Sequence, residues 1–280
     1  MIDKLVNLFD NFLSKNLSKV KTLNRLIAFI CLVFLFQFFN QERINFGWDI
    51  KYLIAILLIF VGYIFQSLSW SYIISEKLDF KILSSWLISI IGKYLPLKIG
   101  IPVLRITDDL NTKKPNSKKY LFGVLVEVLL QVLAGILFTG LFIISKLFSI
   151  NYFICLFLYL LVLLGYFLIY KNKYFFIVIM NSISYIFFLF SITLTGLILY
   201  EEVIIELGLA YIFSSVISLI FVGSPAGLGV REYFFILLFQ NNSAFSSINF
   251  IEFLVYIRLV FVLTDLFSYI VGRMTKALNN

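Results

Sequence analysis

GSPAGLGVREYFFILLFQ, residues 223–240, places one proline, three glycines and an Arg-Glu pair between two apolar stretches. Its apolar part, residues 230–240, is about 16 Å long as a helix, half the roughly 30 Å of a bilayer's hydrocarbon layer. Whether it counts as a crossing sets the parity of the whole chain.

The rest of the sequence makes that question unavoidable. Of 280 residues, 61% are hydrophobic and 14% charged, against roughly a quarter charged in an ordinary soluble domain. Apolar runs at 52–74, 120–145, 152–170, 174–199, 203–222 and 251–271 are each long enough to span a bilayer. A shorter run, 26–39, spans by letting Arg25 snorkel. Lysine and arginine then orient the chain. Lys15, Lys19, Lys21 and Arg25 put the N-terminus inside. Lys77, Lys81, Lys113, Lys114, Lys118 and Lys119 mark a second inside connection, and Lys171 with Lys173 a third. Arg273 and Lys276 put the C-terminus inside as well, yet seven crossings would leave it outside. An eighth is required, and only residues 223–249 can supply it. The repair is unwound chain at 223–229 below the membrane surface, continued by a half-helix. Such backbone is tolerated at that depth only where protein or a polar cavity satisfies it.

The expected fold is therefore all-α: a polytopic bundle of about eight spans with half-length, re-entrant elements. Ile2, Leu5, Val6, Phe9, Phe12, Leu13, Leu17 and Val20 recur at helical spacing, so residues 2–20 are read as an amphipathic interfacial helix. Residues 1–24 form this cytoplasmic segment, 25–272 one transmembrane domain and 273–280 a cytoplasmic tail. No cleavable signal peptide is expected. The first half of the chain has its own broken feature: apolar residues 82–91 are followed by GKYLPLKIGIPVLR, residues 92–105, with Pro96, Gly100 and Arg105 in succession. Paired short, Gly/Pro-interrupted segments point to a central site of the kind transporters carry.

Several classes are disfavoured. The chain has no histidine, which removes the commonest general base and metal ligand. Cys31 and Cys155 sit apart in apolar runs, suggesting neither disulfide nor metal site. The net charge of +8 follows the orientation bias, so no nucleic-acid partner is expected. No catalytic residue, cofactor or metal is assigned. GSPAGLGVRE lacks the Lys-Ser/Thr of a phosphate-binding P-loop and the spacing of a dinucleotide fingerprint.

What the motif does offer is an anion site. Pro225, Gly227 and Gly229 free backbone N–H groups at the start of a half-helix, whose end carries partial positive charge, and Arg231 adds a full one. The competing reading is a tight interhelical turn with Arg231 and Glu232 among headgroups. Glu127 lies inside the apolar run LFGVLVEVLLQVLAG, with Gln131 one turn on. Arg258 and Asp265 share a stripe of the last helix. Glu127, Glu232 and Asp265 thus balance Arg105, Arg231 and Arg258, either locking helices or sharing an arginine with a lipid phosphate. Asp108 and Asp109, in the polar stretch RITDDLNTKKPNSKK, suit either a solvated loop or a metal-diphosphate site.

GSPAGLGVREYFF resembles the Pro-Gly-Gly-Leu-Gly-Val-Arg-Glu signature of the lysylphosphatidylglycerol synthase transmembrane-region, or flippase-like, family. GKYLPLKIG resembles that family's Gly-x-Tyr-Leu-Pro-Gly-Lys motif, and Glu127 and Tyr256-Ile257-Arg258-Leu259 match it too. Ala226 replaces a usual glycine, Tyr233 a usual small residue and Leu97 the glycine after the first proline. The resemblance implies an eight-helix bundle with re-entrant elements that moves or handles lipids. Bifunctional members add a soluble aminoacyl-transfer domain, and none is visible through Asn280, so lysyl-lipid synthesis is not expected. The expected ligand is an anionic phospholipid or a polyprenyl-phosphate-linked substrate in the plasma membrane, with envelope-biosynthesis proteins as partners. Its phosphate would sit near Arg231, Gly227, Gly229, Arg258 and Arg105. The alternatives are an enzyme of lipid-linked sugar assembly and a non-transporting membrane subunit.

Overall fold

The computed structural model describes residues 50–94, 100–109, 117–147, 152–170, 172–201, 204–221, 225–227, 229–239 and 249–278, and every regular element among them is helical. The interfacial segment 2–20, the short crossing 26–39, Pro96 and Lys113–Lys114 lie outside these residues. In chain order the helices are α1 (Ile50–Ser75), α2 (Phe80–Ser89), α3 (Gly100–Asp109), α4 (Ser117–Leu147), α5 (Tyr152–Tyr170), α6 (Lys173–Tyr200), α7 (Ile205–Ile220), α8 (Val230–Phe239) and α9 (Phe250–Leu278). Short 3₁₀ segments at Ile90–Tyr94 and Pro225–Gly227 mark the two breaks. Among the described residues three helices, Ile50–Ser75, Lys118–Gly140 and Lys173–Tyr200, are long and apolar enough to cross a membrane.

The centre of the bundle is the pair α1 and α6. The α1 face Ala55, Ile59, Gly62 and Gln66 is buried at spacings of three and four residues, one helical stripe. Small residues let the two backbones approach, as apolar helices without a hydrophobic driving force between them require. Gly62 faces the Phe188 ring so closely that an added Cβ would lie 2.5 Å from it. Polar side chains stitch the same seam: Ser191 donates to the Ala55 carbonyl at 2.9 Å, and Gln66 to Ser184 at 3.3 Å.

The opposite polarity, apolar outward, appears on α4. Phe122, Leu125 and Leu129 are 67%, 63% and 68% exposed, whereas Glu127 and Gln131 of the same helix are buried. A soluble protein does not present such a continuous apolar face. The outward residues of α5 continue it, among them Phe157 and Val162.

Two broken hairpins complete the fold. Helices α2 and α3 have ten residues each, about 15 Å of helix, and pack against one another. Their crossing demands glycine: a Cβ on Gly92 would fall 2.4 Å from the Gly100 carbonyl carbon. Helix α3 departs from expectation. The sequence reads residues 92–105 as one interrupted segment and Asp108–Asp109 as a solvated loop or a metal-diphosphate site, but Gly100–Asp109 is helical. Pro102 stands in its first turn, where a missing N–H costs nothing. Gly100 therefore opens a helix rather than prolonging the break. The second hairpin is α7 with α8, joined through Pro225–Gly227. Here Ala226, Gly227 and Gly229 all have positive φ, at 49°, 75° and 80°. The two 3₁₀ segments touch each other, so the breaks from the two halves of the chain meet.

Candidate functional site

Where the breaks meet lies a cavity of about 230 Å³, walled by residues of both 3₁₀ segments and of every described helix except α5. Its charged groups fall into three closed pairs and one open cation.

The first pair is Arg105 with Glu127, both buried. Arg105 bonds both carboxylate oxygens through its two terminal nitrogens and donates Nε–H to Ser89 Oγ at 2.9 Å. Trp86 donates its indole N–H to Glu127 Oε1 at 2.6 Å. The Arg105 guanidinium also lies 3.9 Å from the Trp70 ring centroid, a cation–π contact strengthened by burial. With its charge cancelled and its edges bonded, Arg105 ties α3 to α4 and has little left for a phosphate.

The second pair was not foreseen. Asp265 of α9 meets Lys93 of the first break at 2.7 Å and accepts from Tyr63 at 2.8 Å and from Tyr94. Lys93 stands in GKYLPLKIG, a stretch read for its proline, glycine and arginine, so the role of the lysine was missed. The third pair is Glu232 with Arg258, whose Nε donates to Glu232 Oε1 at 2.6 Å. Glu232 also accepts the Gly229 N–H through Oε2 at 2.8 Å, the acidic half of a helix capping box. The amide expected to greet an external anion is thus capped from within its own helix. Gly229 is exposed and stands apart from the cavity lining. The break instead turns carbonyls toward cations: Arg258 bonds the Ala226 and Gly227 carbonyls at 3.1 and 3.3 Å.

Arg231 is the open cation. It was expected to share the carboxylates, yet it makes no ion pair with any described one. One terminal nitrogen donates to the Tyr211 hydroxyl at 2.8 Å, the other to the Ala226 carbonyl at 3.2 Å. Its Nε–H is buried with no acceptor. Such a donor costs about 1–3 kcal/mol when nothing fills its place. Of the residues read as phosphate-binding, the structure brings Arg231, Arg258, Gly227 and Arg105 to one cavity. Pro225 opens the 3₁₀ turn that positions them.

Among the described residues no cluster of three His, Cys, Asp or Glu side chains is arranged to hold a metal. Comparison with protein-family models, with curated proteins and with solved structures finds no match to this chain.

Proposed function

We propose that this is an integral membrane protein that binds the headgroup of an anionic phospholipid or lipid-linked precursor and moves it across the plasma membrane. The observation that carries the reading is Arg231: a cation at the edge of an internal cavity, without a carboxylate partner and with one buried donor unmet. A phosphate oxygen matches that donor in charge and geometry. The cavity, about 230 Å³, falls below the roughly 300–1,000 Å³ of pockets that enclose whole ligands. A headgroup fits this volume while acyl chains stay in the bilayer beside the apolar outer faces. The likeness of GSPAGLGVRE to the flippase-like signature supports the same function. The sequence has no nucleotide-binding motif, so movement is downhill or ion-coupled.

Reconstitution into liposomes with a fluorescent phospholipid tests this. The unmutated protein exposes inner-leaflet lipid to a membrane-impermeant quencher, and Arg231→Ala slows that step by roughly tenfold or more, the worth of a charge-assisted hydrogen bond. Equal rates for the two proteins would refute the assignment.

A further inference from the structure

The charges around the cavity restrict which headgroup it accepts, an inference that rests on the lipid-binding reading above. Four cationic side chains line it: Lys93, Arg105, Arg231 and Arg258. Three carboxylates, Asp265, Glu127 and Glu232, each pair with one of them. Four minus three leaves one positive charge among the described residues, on Arg231. In a low-dielectric site a complex that retains net charge is penalised by desolvation. A ligand with one negative charge closes the balance. A phosphomonoester carries about −1.5 to −2 near neutral pH, which overshoots it, and a diphosphate overshoots further.

The same count bears on the far side of the headgroup. An amine there needs a carboxylate, and all three are taken. Asp265 holds Lys93, Tyr63 and Tyr94. Glu127 holds Arg105 and Trp86, and Glu232 holds Arg258 and an amide. Neutral groups are better supplied. The Gln131 side chain lines the cavity and makes no hydrogen bond among the described residues, and Gln66 spends only its amide nitrogen, on Ser184. Carboxamides offer both a donor and an acceptor, which suits hydroxyl groups.

We propose that the ligand is a singly charged phosphodiester whose headgroup is neutral and hydroxyl-bearing, a glycerol or a sugar. Its phosphate lies against the Arg231 Nε–H and its hydroxyls reach Gln66 and Gln131.

The test is native mass spectrometry of the full chain with equal amounts of phosphatidylglycerol, phosphatidylmethanol, phosphatidic acid, phosphatidylcholine and lysylphosphatidylglycerol. Phosphatidylglycerol is expected to be retained roughly tenfold over phosphatidic acid and lysylphosphatidylglycerol, the scale of one charge-assisted bond. Arg231→Gln removes that preference. Gln131→Leu leaves the preference over phosphatidic acid and weakens the one over phosphatidylmethanol, which lacks hydroxyls. Equal or better retention of phosphatidic acid or lysylphosphatidylglycerol overturns the proposed headgroup. If that retention still depends on Arg231, the lipid reading survives. Identical lipid patterns for Arg231→Gln and the unmutated protein defeat the lipid reading itself. Displacement of phosphatidylglycerol by an equal concentration of glycerophosphoglycerol keeps the phosphodiester and assigns it to a soluble source. Arg231→Lys retains the charge and serves as the folded control.

Discussion

Glu127 accepts from Arg105 twice and from Trp86 once, which makes it the residue whose loss is easiest to predict. Removing one partner of a buried pair strands the other charge and costs about 3–5 kcal/mol. Glu127→Ala and Arg105→Ala should each show this as lost thermal stability in detergent, while Arg105→Met with Glu127→Leu recovers most of it. Full stability of either single variant would contradict the lock. Ala226 carries the opposite expectation. Its φ of 49° is a left-handed conformation that costs a side-chain-bearing residue about 1–2 kcal/mol, so Ala226→Gly should raise the unfolding midpoint. A lowered midpoint would contradict the strain. At this scale the sequence revealed which residues matter better than it revealed their partners. A carboxylate in an apolar helix announces a partner, and Glu127 and Asp265 both found one. The identity of that partner depends on how helices pack, so Asp265 met Lys93 rather than an arginine. Tyr211, one of sixteen tyrosines in the chain, carried no signal that set it apart.

Half-helices are the elements on which the site depends, and glycine contacts decide whether they form. A methyl group on Gly92 meets rigid backbone at Gly100, so Gly92→Ala should destabilise by about 1–3 kcal/mol through overpacking. Gly140, in α4, has nothing within 4 Å of its added Cβ. There Ala should be neutral or stabilising by up to about 1 kcal/mol through helix propensity. Chemical unfolding of the two variants checks the contrast, and equal losses would mean that the α2–α3 crossing is not the constraint. Between α1 and α2, a hydrogen bond from Lys173 and then its charge hold the Glu76 carboxyl below the usual glutamate range. Its contribution is present above the ordinary glutamate pKa and fades as pH falls through the lowered value. Because Glu76 is exposed, Glu76→Gln should leave stability at neutral pH nearly unchanged. Long elements were legible because a 20-residue apolar run has one economical conformation in a bilayer. Helix α3 was not, since a first-turn proline looks the same in sequence as a helix breaker.

Across the whole molecule the two broken segments, far apart in sequence, converge on one cavity inside an apolar-faced helical bundle. The need for a second break near residue 225 followed from charge parity along the chain. The convergence did not, because nothing in a one-dimensional pattern says that residues 90–94 touch 225–227. The central claim is that Arg231 donates to a phosphate in that cavity. Its most direct test is the ¹⁵N–³¹P dipolar coupling between guanidinium-labelled protein and phosphatidylglycerol in proteoliposomes, with the Arg231 signal assigned by its loss in Arg231→Lys. A charge-assisted N–H···O bond of about 2.8 Å places nitrogen and phosphorus about 4 Å apart, so the Arg231 signal should dephase at that distance. An Arg231 signal that shows no coupling to lipid phosphorus would contradict the account.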